Sequence, residues 1–172
     1  MIKDFKDYDI KESNIMKDFK DYDIIICDID NTLIRGWMTD LMDWTWEKFK
    51  SPKIARILVT LQNKFKLYQV NKELLKRLLD CDTPLYFLTA RSKNPNTEEM
   101  LNKIFSRRGR VFDLVELGCY NPPRDKAKWI INNTPRNFSV ILFDDNLMTR
   151  IACSPYCIVR DANWLEGRCL NI

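Results

Sequence analysis

The chain has 172 residues, 45% of them hydrophobic and 30% charged, with a formal net charge of +4. That length suits one domain with a modest insertion, and the balance is that of a globular chain rather than a disordered or fibrous one. No apolar run approaches the length needed to cross a bilayer, and the amino terminus, Met-Ile-Lys-Asp-Phe-Lys, lacks the apolar core of a signal peptide, so a cytoplasmic protein is expected.

Missing residue types narrow the chemistry. The chain has no histidine, which removes Ser-His-Asp hydrolysis, histidine-based zinc catalysis and phosphohistidine chemistry. None of the cysteines is followed six residues later by arginine, so the loop of cysteine-dependent phosphatases is missing too. The four glycines (Gly36, Gly109, Gly118 and Gly167) build neither a Walker loop nor a dinucleotide fingerprint. Six cysteines, Cys27, Cys81, Cys119, Cys153, Cys157 and Cys169, are read as reduced thiols. Cys153 and Cys157 have a metal-like spacing but no second pair, and are read as ordinary buried cysteines. Chemistry is left to carboxylates, lysine, hydroxyls and metal.

In chain order, residues 3–10 and 17–24 are the same string, Lys-Asp-Phe-Lys-Asp-Tyr-Asp-Ile, and only the second copy runs on into Ile25, Ile26 and Cys27. The first copy is expected to be loose or weakly helical, with residues 1–21 forming an extension. Ile24-Ile25-Ile26-Cys27 is a continuous apolar run, as in a strand buried on both faces. Further strands are expected at Leu85 to Leu88, around Val111 to Leu117, at Val140 to Phe143 and at Tyr156 to Val159.

Helical patterns lie between these runs. Asn71 can cap a helix bearing Leu74, Leu75, Leu78 and Leu79, and Asn96 with Glu99 resembles a capping box ahead of Met100, Leu101, Ile104 and Phe105, with Gly109 as its stop. The alternation predicts an α/β fold, a parallel sheet with helices on both faces.

One segment breaks the alternation. Residues 37–70 carry two helical patterns and no convincing strand. Met38, Leu41, Met42, Trp44, Trp46 and Phe49 mark the first. Ser51-Pro52 opens the second, in which Ile54, Ile57, Leu58, Leu61, Phe65 and Tyr68 recur with a helical period. This segment reads as a small helical cap inserted into a core of residues 22–36 and 71–172; the alternative is a pair of helices packed directly on the sheet. Arg107, Arg108 and Arg110, with Lys103 nearby, read as a solvated helix end ahead of a nucleic-acid contact.

The strongest chemical signal is Asp28-Ile29-Asp30-Asn31-Thr32-Leu33, at the carboxyl end of the first strand, where ligands of open parallel sheets bind. Asp21 and Asp23 have the same spacing but precede the strand, which puts them at the wrong end of the sheet. Thr89-Ala90-Arg91 ends the second apolar strand, Lys126 follows Pro122-Pro123 in the first turn of a helix, and Asp144-Asp145 ends the strand Val140 to Phe143. Two adjacent carboxylates at a strand end repel each other without a cation, and magnesium, which demands hard oxygen ligands, is the natural occupant.

In order and context these residues resemble the four motifs of the haloacid dehalogenase (HAD) superfamily, over roughly residues 23–160 outside the insert. The resemblance implies a Rossmann-like core with a helical cap, and a phosphatase, because an aspartate at position 30 marks that branch. It implies that Asp28 attacks phosphorus and that Asp30 serves as acid and base. Thr89 and Lys126 would hold phosphate oxygens, and Asp28, the Asp30 carbonyl and Asp144 or Asp145 would bind Mg2+. Carboxylate and phosphate at about 4 Å repel by roughly 4 kcal/mol per unit-charge pair at an effective dielectric of about 20, so such a site needs metal and lysine. Asn31 stands where glycine is frequent, and asparagine tolerates left-handed backbone.

Leu88-Thr89-Ala90-Arg91-Ser92, Asp125-Lys126 leading to Trp129-Ile130, and Phe143-Asp144-Asp145-Asn146 are further similar to the 3′-phosphatase domain of phage polynucleotide kinases. That likeness implies that Thr32 and Arg91 contact substrate, and that the substrate is a nucleotide or nucleic-acid terminal phosphate. A small-metabolite phosphatase, with Trp44 or Trp46 choosing the substrate, is the alternative, and a non-catalytic binding module of the same fold is a third reading.

Overall fold

The computed structural model describes residues 18–36, 52–105, 109–118 and 121–162. The first copy of the repeat, the pattern from Met38 to Phe49 with its tryptophans, Ser51, Arg107, Arg108, Cys119 and Cys169 lie outside the described residues.

Strand β1, Ile24–Cys27, is apolar and buried at all its positions. Side chains alternate across a strand, so it serves two cores. Ile25 and Cys27 pack with Leu74, Leu78, Leu101 and Phe105, whereas Ile24 and Ile26 pack with Ala127, Ile130 and Cys153. Helices α2 (Lys72–Leu79) and α3 (Pro95–Phe105) therefore cover one face, and α4 (Pro122–Asn133) and α5 (Leu147–Cys153) the other. Ile25 and Ile26 are fully buried, and each contributes about 2 kcal/mol.

Four parallel partners complete the sheet: β4 (Leu85–Thr89), β5 (Asp113–Glu116), β6 (Val140–Phe143) and β7 (Ile158–Arg160), in the order β5-β4-β1-β6-β7. The chain fills one side of β1 before crossing to the other, so strand order reverses between β1 and β6. This is the α/β sheet flanked by helices that strand-helix alternation predicts, consistent with a Rossmann-like fold. Two strands differ at their ends: Val111 lies outside β5 and is exposed, and Tyr156 precedes β7 in an exposed turn.

The second copy of the repeat enters the core earlier than expected. Phe19 is buried in a 3-10 turn, Phe19–Asp21, and its ring lies 5.1 Å from that of Phe143. The core thus takes in Phe19, which the sequence groups with the extension, while Asp18, Lys20 and Asp21 are exposed.

The insert is closed by a ribbon that sequence alone did not show. Strands β2 (Ile34–Arg35) and β3 (Gln69–Val70) pair antiparallel, Ile34 with Val70 and Arg35 with Gln69. Two-residue strands are too short to display a period, which is why the segment reads as lacking any. Gly36 sits at this neck, where a Cβ would stand 2.3 Å from the Leu67 carbonyl oxygen. Helix α1, Pro52–Phe65, starts at the expected proline and packs against α3. Its residues Ile54, Ile57, Leu61 and Phe65 are exposed, so the helical period in this stretch does not mark a face buried on the sheet.

Caps fix where the other helices begin. Asn71 accepts the Leu74 N–H at 3.0 Å, as expected. For α3 the cap is Asn94 rather than Asn96: its side chain accepts the Asn96 N–H at 3.0 Å, and Pro95, whose fixed φ and missing N–H suit a first helical position, follows it. Glu99 pairs instead with Lys103 on the exposed face. Among the described residues no helix is long and apolar enough to cross a membrane.

Candidate active site

Each strand next to the reversal point delivers one carboxylate as it ends. Asp28 follows β1 directly and Asp144 follows β6, and the two turns are laced together because the Asp28 N–H donates to the Phe143 carbonyl at 2.9 Å. Asp21 and Asp23 lie at the other end, where Asp23 accepts the Ser139 N–H at 2.7 Å. Strand direction separates the two Asp-x-Asp pairs, as expected.

Lys126 reaches this point from α4. Asn121 caps that helix by accepting the Arg124 N–H, with proline in the first two positions. The Lys126 ammonium lies 2.7 Å from both Asp28 and Asp144. Its burial would lower its affinity for a proton, but the two carboxylates raise it further, so the ammonium stays charged. Burial pushes the Asp28 carboxyl well above the ordinary range; Lys126 opposes that push, while Asp144 and Asp30 add to it. Burial, with Asp144 beside it, pushes Asp145 up to about 6. Carboxylate oxygens of Asp28, Asp144 and Asp145 lie within 4.8 Å of one another. One ammonium among three hard oxygen donors leaves negative charge uncompensated, and such a donor set fits a small hard cation.

The remaining expected residues surround this cluster. Thr89 ends β4 with its hydroxyl buried, accepting the Arg91 N–H at 3.3 Å. Asn31 adopts the left-handed backbone its type tolerates, at φ 56°. The hydroxyl of Thr32, a residue expected at substrate, accepts the Asp145 N–H at 3.0 Å and donates to the Asp145 carboxylate at 3.3 Å. It is buried and serves as a support for Asp145. The guanidinium of Arg91, the other residue expected at substrate, grips the Asp30 carboxylate, Nε at 2.8 Å and Nη2 at 2.6 Å.

Two supports have no local sequence signal. Arg150, which reads as a basic residue in the last turn of a helix, donates from Nη1 to the carbonyl oxygens of Asp144 and Asp145, both at 2.7 Å, and lies 3.1 Å from Asp161. It holds the backbone of the double-aspartate turn. Glu116, at the end of β5, accepts the Asn94 N–H with both oxygens, and the Asn94 amide donates to the Thr60 hydroxyl at 3.2 Å. That chain of contacts ties α1 to the rim of the site.

Other expectations resolve simply. Arg110 donates to the Leu78 and Thr83 carbonyls, so it supports the core rather than a solvated cluster. Cys27, Cys81 and Cys153 are buried free thiols and Cys157 is half-buried, and burial pushes Cys153 and Cys157 up to about 12, out of the reactive range.

No protein-family model matches the chain, and neither a curated protein nor a solved structure does. Its function has to be argued from the site itself.

Proposed function

We propose that the protein is a magnesium-dependent phosphomonoester hydrolase of the HAD type, acting through an aspartyl-phosphate. The observation that carries this reading is the Lys126 ammonium held 2.7 Å from both Asp28 and Asp144 at the reversal point of the sheet. A purely structural ion pair has no need of a third carboxylate beside it, nor of a position where parallel sheets open to ligands.

Asp28 is the nucleophile. A carboxylate oxygen attacks phosphorus, the P–O bond to the leaving group breaks, and Asp30 gives the departing oxygen its proton. In the second step Asp30 takes a proton from water, the water oxygen attacks phosphorus, and the acyl-phosphate bond breaks to restore Asp28. Lys126 and the Thr89 hydroxyl hold phosphate oxygens through both displacements. Asp28, Asp144, Asp145 and the Asp30 carbonyl would hold magnesium, which supplies charge neutralisation for the transferring group. Thr32 and Arg150 keep Asp145 and its turn in place.

The substrate class proposed is a nucleotide or nucleic-acid terminal 3′-phosphate, on the likeness of the stretches around Thr89, Lys126 and Asp144 to phage end-processing phosphatases. The test is hydrolysis of an aryl phosphate and a 3′-nucleotide with magnesium, comparing the wild type with Asp28→Asn. Expected is metal-dependent turnover that falls by at least about 10³-fold on substitution. Equal activity of the two proteins, or an inert wild type on both esters, overturns the reading.

A further inference from the structure

The Arg91–Asp30 pair assigns Arg91 a role that the substrate-contact reading does not contain. Both Asp30 oxygens are engaged by the guanidinium fork, at 2.6 and 2.8 Å. The Arg91 side chain is only 4% exposed, whereas that of Asp30 is 25% exposed. The carboxylate is therefore the more exposed member of the pair and the guanidinium the more deeply buried. Nε and Nη2 are both occupied by Asp30, so a ligand reaches these donors only by displacing the carboxylate.

Arg91 is itself held by its backbone. Its N–H donates to the Thr89 hydroxyl at 3.3 Å and its carbonyl accepts the Gly118 N–H at 2.9 Å. Its third nitrogen, Nη1, is buried and has no hydrogen-bond partner. With its backbone anchored on both sides, the guanidinium is a fixed fork on which the Asp30 carboxylate rests.

We infer that Arg91 is a positioning residue acting through Asp30. The fork fixes where the carboxyl that protonates the leaving oxygen stands, and Arg91 makes no direct contact with the substrate. The inference rests on the phosphatase reading above and concerns one half-step of it. In that step the P–O bond to the leaving group breaks and the proton of Asp30 goes to the departing oxygen.

Leaving-group chemistry separates the two roles. An aryl oxide departs with little help, whereas an alkyl oxide needs its proton as the bond breaks. A residue that positions the acid matters for every alkyl ester, whether or not it is a nucleotide. A residue that contacts a nucleotide matters only for nucleotides, and through KM.

The experiment measures kcat and KM for the wild type, Arg91→Ala, Arg91→Lys, Asp30→Asn and the double variant Asp30→Asn/Arg91→Ala. Three esters are used: an aryl phosphate, glycerol phosphate and a 3′-nucleoside monophosphate. Expected for Arg91→Ala is a loss of about 10²-fold on both alkyl esters in kcat/KM, which reports the first displacement and not the shared hydrolysis of the aspartyl-phosphate, and a loss under about tenfold in kcat/KM on the aryl ester. Asp30→Asn should show the same selectivity, and the double variant should be no worse than Asp30→Asn alone. Arg91→Lys, which keeps a cation but loses the fork, should repeat the pattern even where the alanine variant folds poorly.

A kcat/KM loss confined to the nucleotide, equal kcat/KM losses on all three esters, or additive losses in the double variant would each overturn the inference while leaving the phosphatase reading standing. A wild type inert toward all three esters overturns that reading and the inference with it.

Discussion

Lys126 stands 2.7 Å from a carboxylate oxygen of Asp28, and the two side chains are 3% and 10% exposed. A charge pair this deep is worth less for the energy it adds than for what its loss leaves behind, namely Asp28 and Asp144 facing each other with no ammonium between them. Lys126→Met should therefore destabilise the metal-free protein by about 3–5 kcal/mol. Urea unfolding in the presence of a chelator reads this directly. A loss under about 1 kcal/mol would mean that the Asp28 carboxyl simply takes up a proton when the lysine is gone.

The raised carboxyls give the metal-free fold an unusual pH dependence. Asp145 binds its proton more tightly in the fold than in the unfolded chain, from 3.8 up to about 6, because of burial and the adjacent Asp144. Between those values the native state holds the extra proton, so stability falls as pH rises. The stability is fully present below about pH 4 and lost as pH passes about 6, with the raised Asp28 carrying the loss further. Asp145→Asn should raise the stability of the metal-free protein at pH 8 by about 1–2 kcal/mol, after allowance for solvent screening. Magnesium in the proposed site would have to displace these protons, so its affinity, read by titration calorimetry, should increase from pH 5 to pH 8. A flat profile would remove Asp28 and Asp145 from the binding set.

Arg150 is expected to act on the double-aspartate turn without touching substrate. Its Nη1 bonds to the Asp144 and Asp145 carbonyls fix the direction in which both side chains leave the backbone. Arg150→Ala should weaken magnesium binding by about tenfold, in the range seen when supports of metal ligands are removed. Activity should recover at high magnesium. Asp161→Asn, which removes only the carboxylate 3.1 Å behind the arginine, should have a smaller effect in the same direction. Unaltered binding in the arginine variant would reduce Arg150 to a helix-end charge.

The parts of this site that were legible in the sequence are those set by strand direction. Asp28 and Asp144 follow four-residue apolar runs, and in a parallel sheet the carboxyl ends of such strands lie together, whereas Asp21 and Asp23 precede the run and fall at the other end. What stayed hidden depends on partners far apart in the chain. Arg91 meets Asp30 across 61 residues, and Thr32 meets Asp145 across 113. Neither pairing leaves a local spacing to find, and the likeness that suggests substrate contact for these residues says nothing of their carboxylate partners. The ribbon Ile34–Arg35 with Gln69–Val70 was hidden by its length, and the Asn94 cap by the more familiar pattern of Asn96 and Glu99. Pro95 was the signal for Asn94, since proline favours the first helical position.

Asn94 joins these threads, because one side chain caps α3 and reaches the insert. Its oxygen accepts the Asn96 N–H at 3.0 Å and its amide donates to Thr60 on α1 at 3.2 Å. Asn94→Ala should cost about 1–2 kcal/mol through the cap alone. Asn94→Asp keeps the acceptor for the cap but removes the amide donor, and it brings a charge close to Glu116, whose carboxylate holds the Asn94 N–H. Its effect should appear as faster amide exchange in α1, with α3 protected as in the wild type. Equal exchange in both helices for the aspartate variant would show that the insert is held to the core by apolar packing and not by this hydrogen bond.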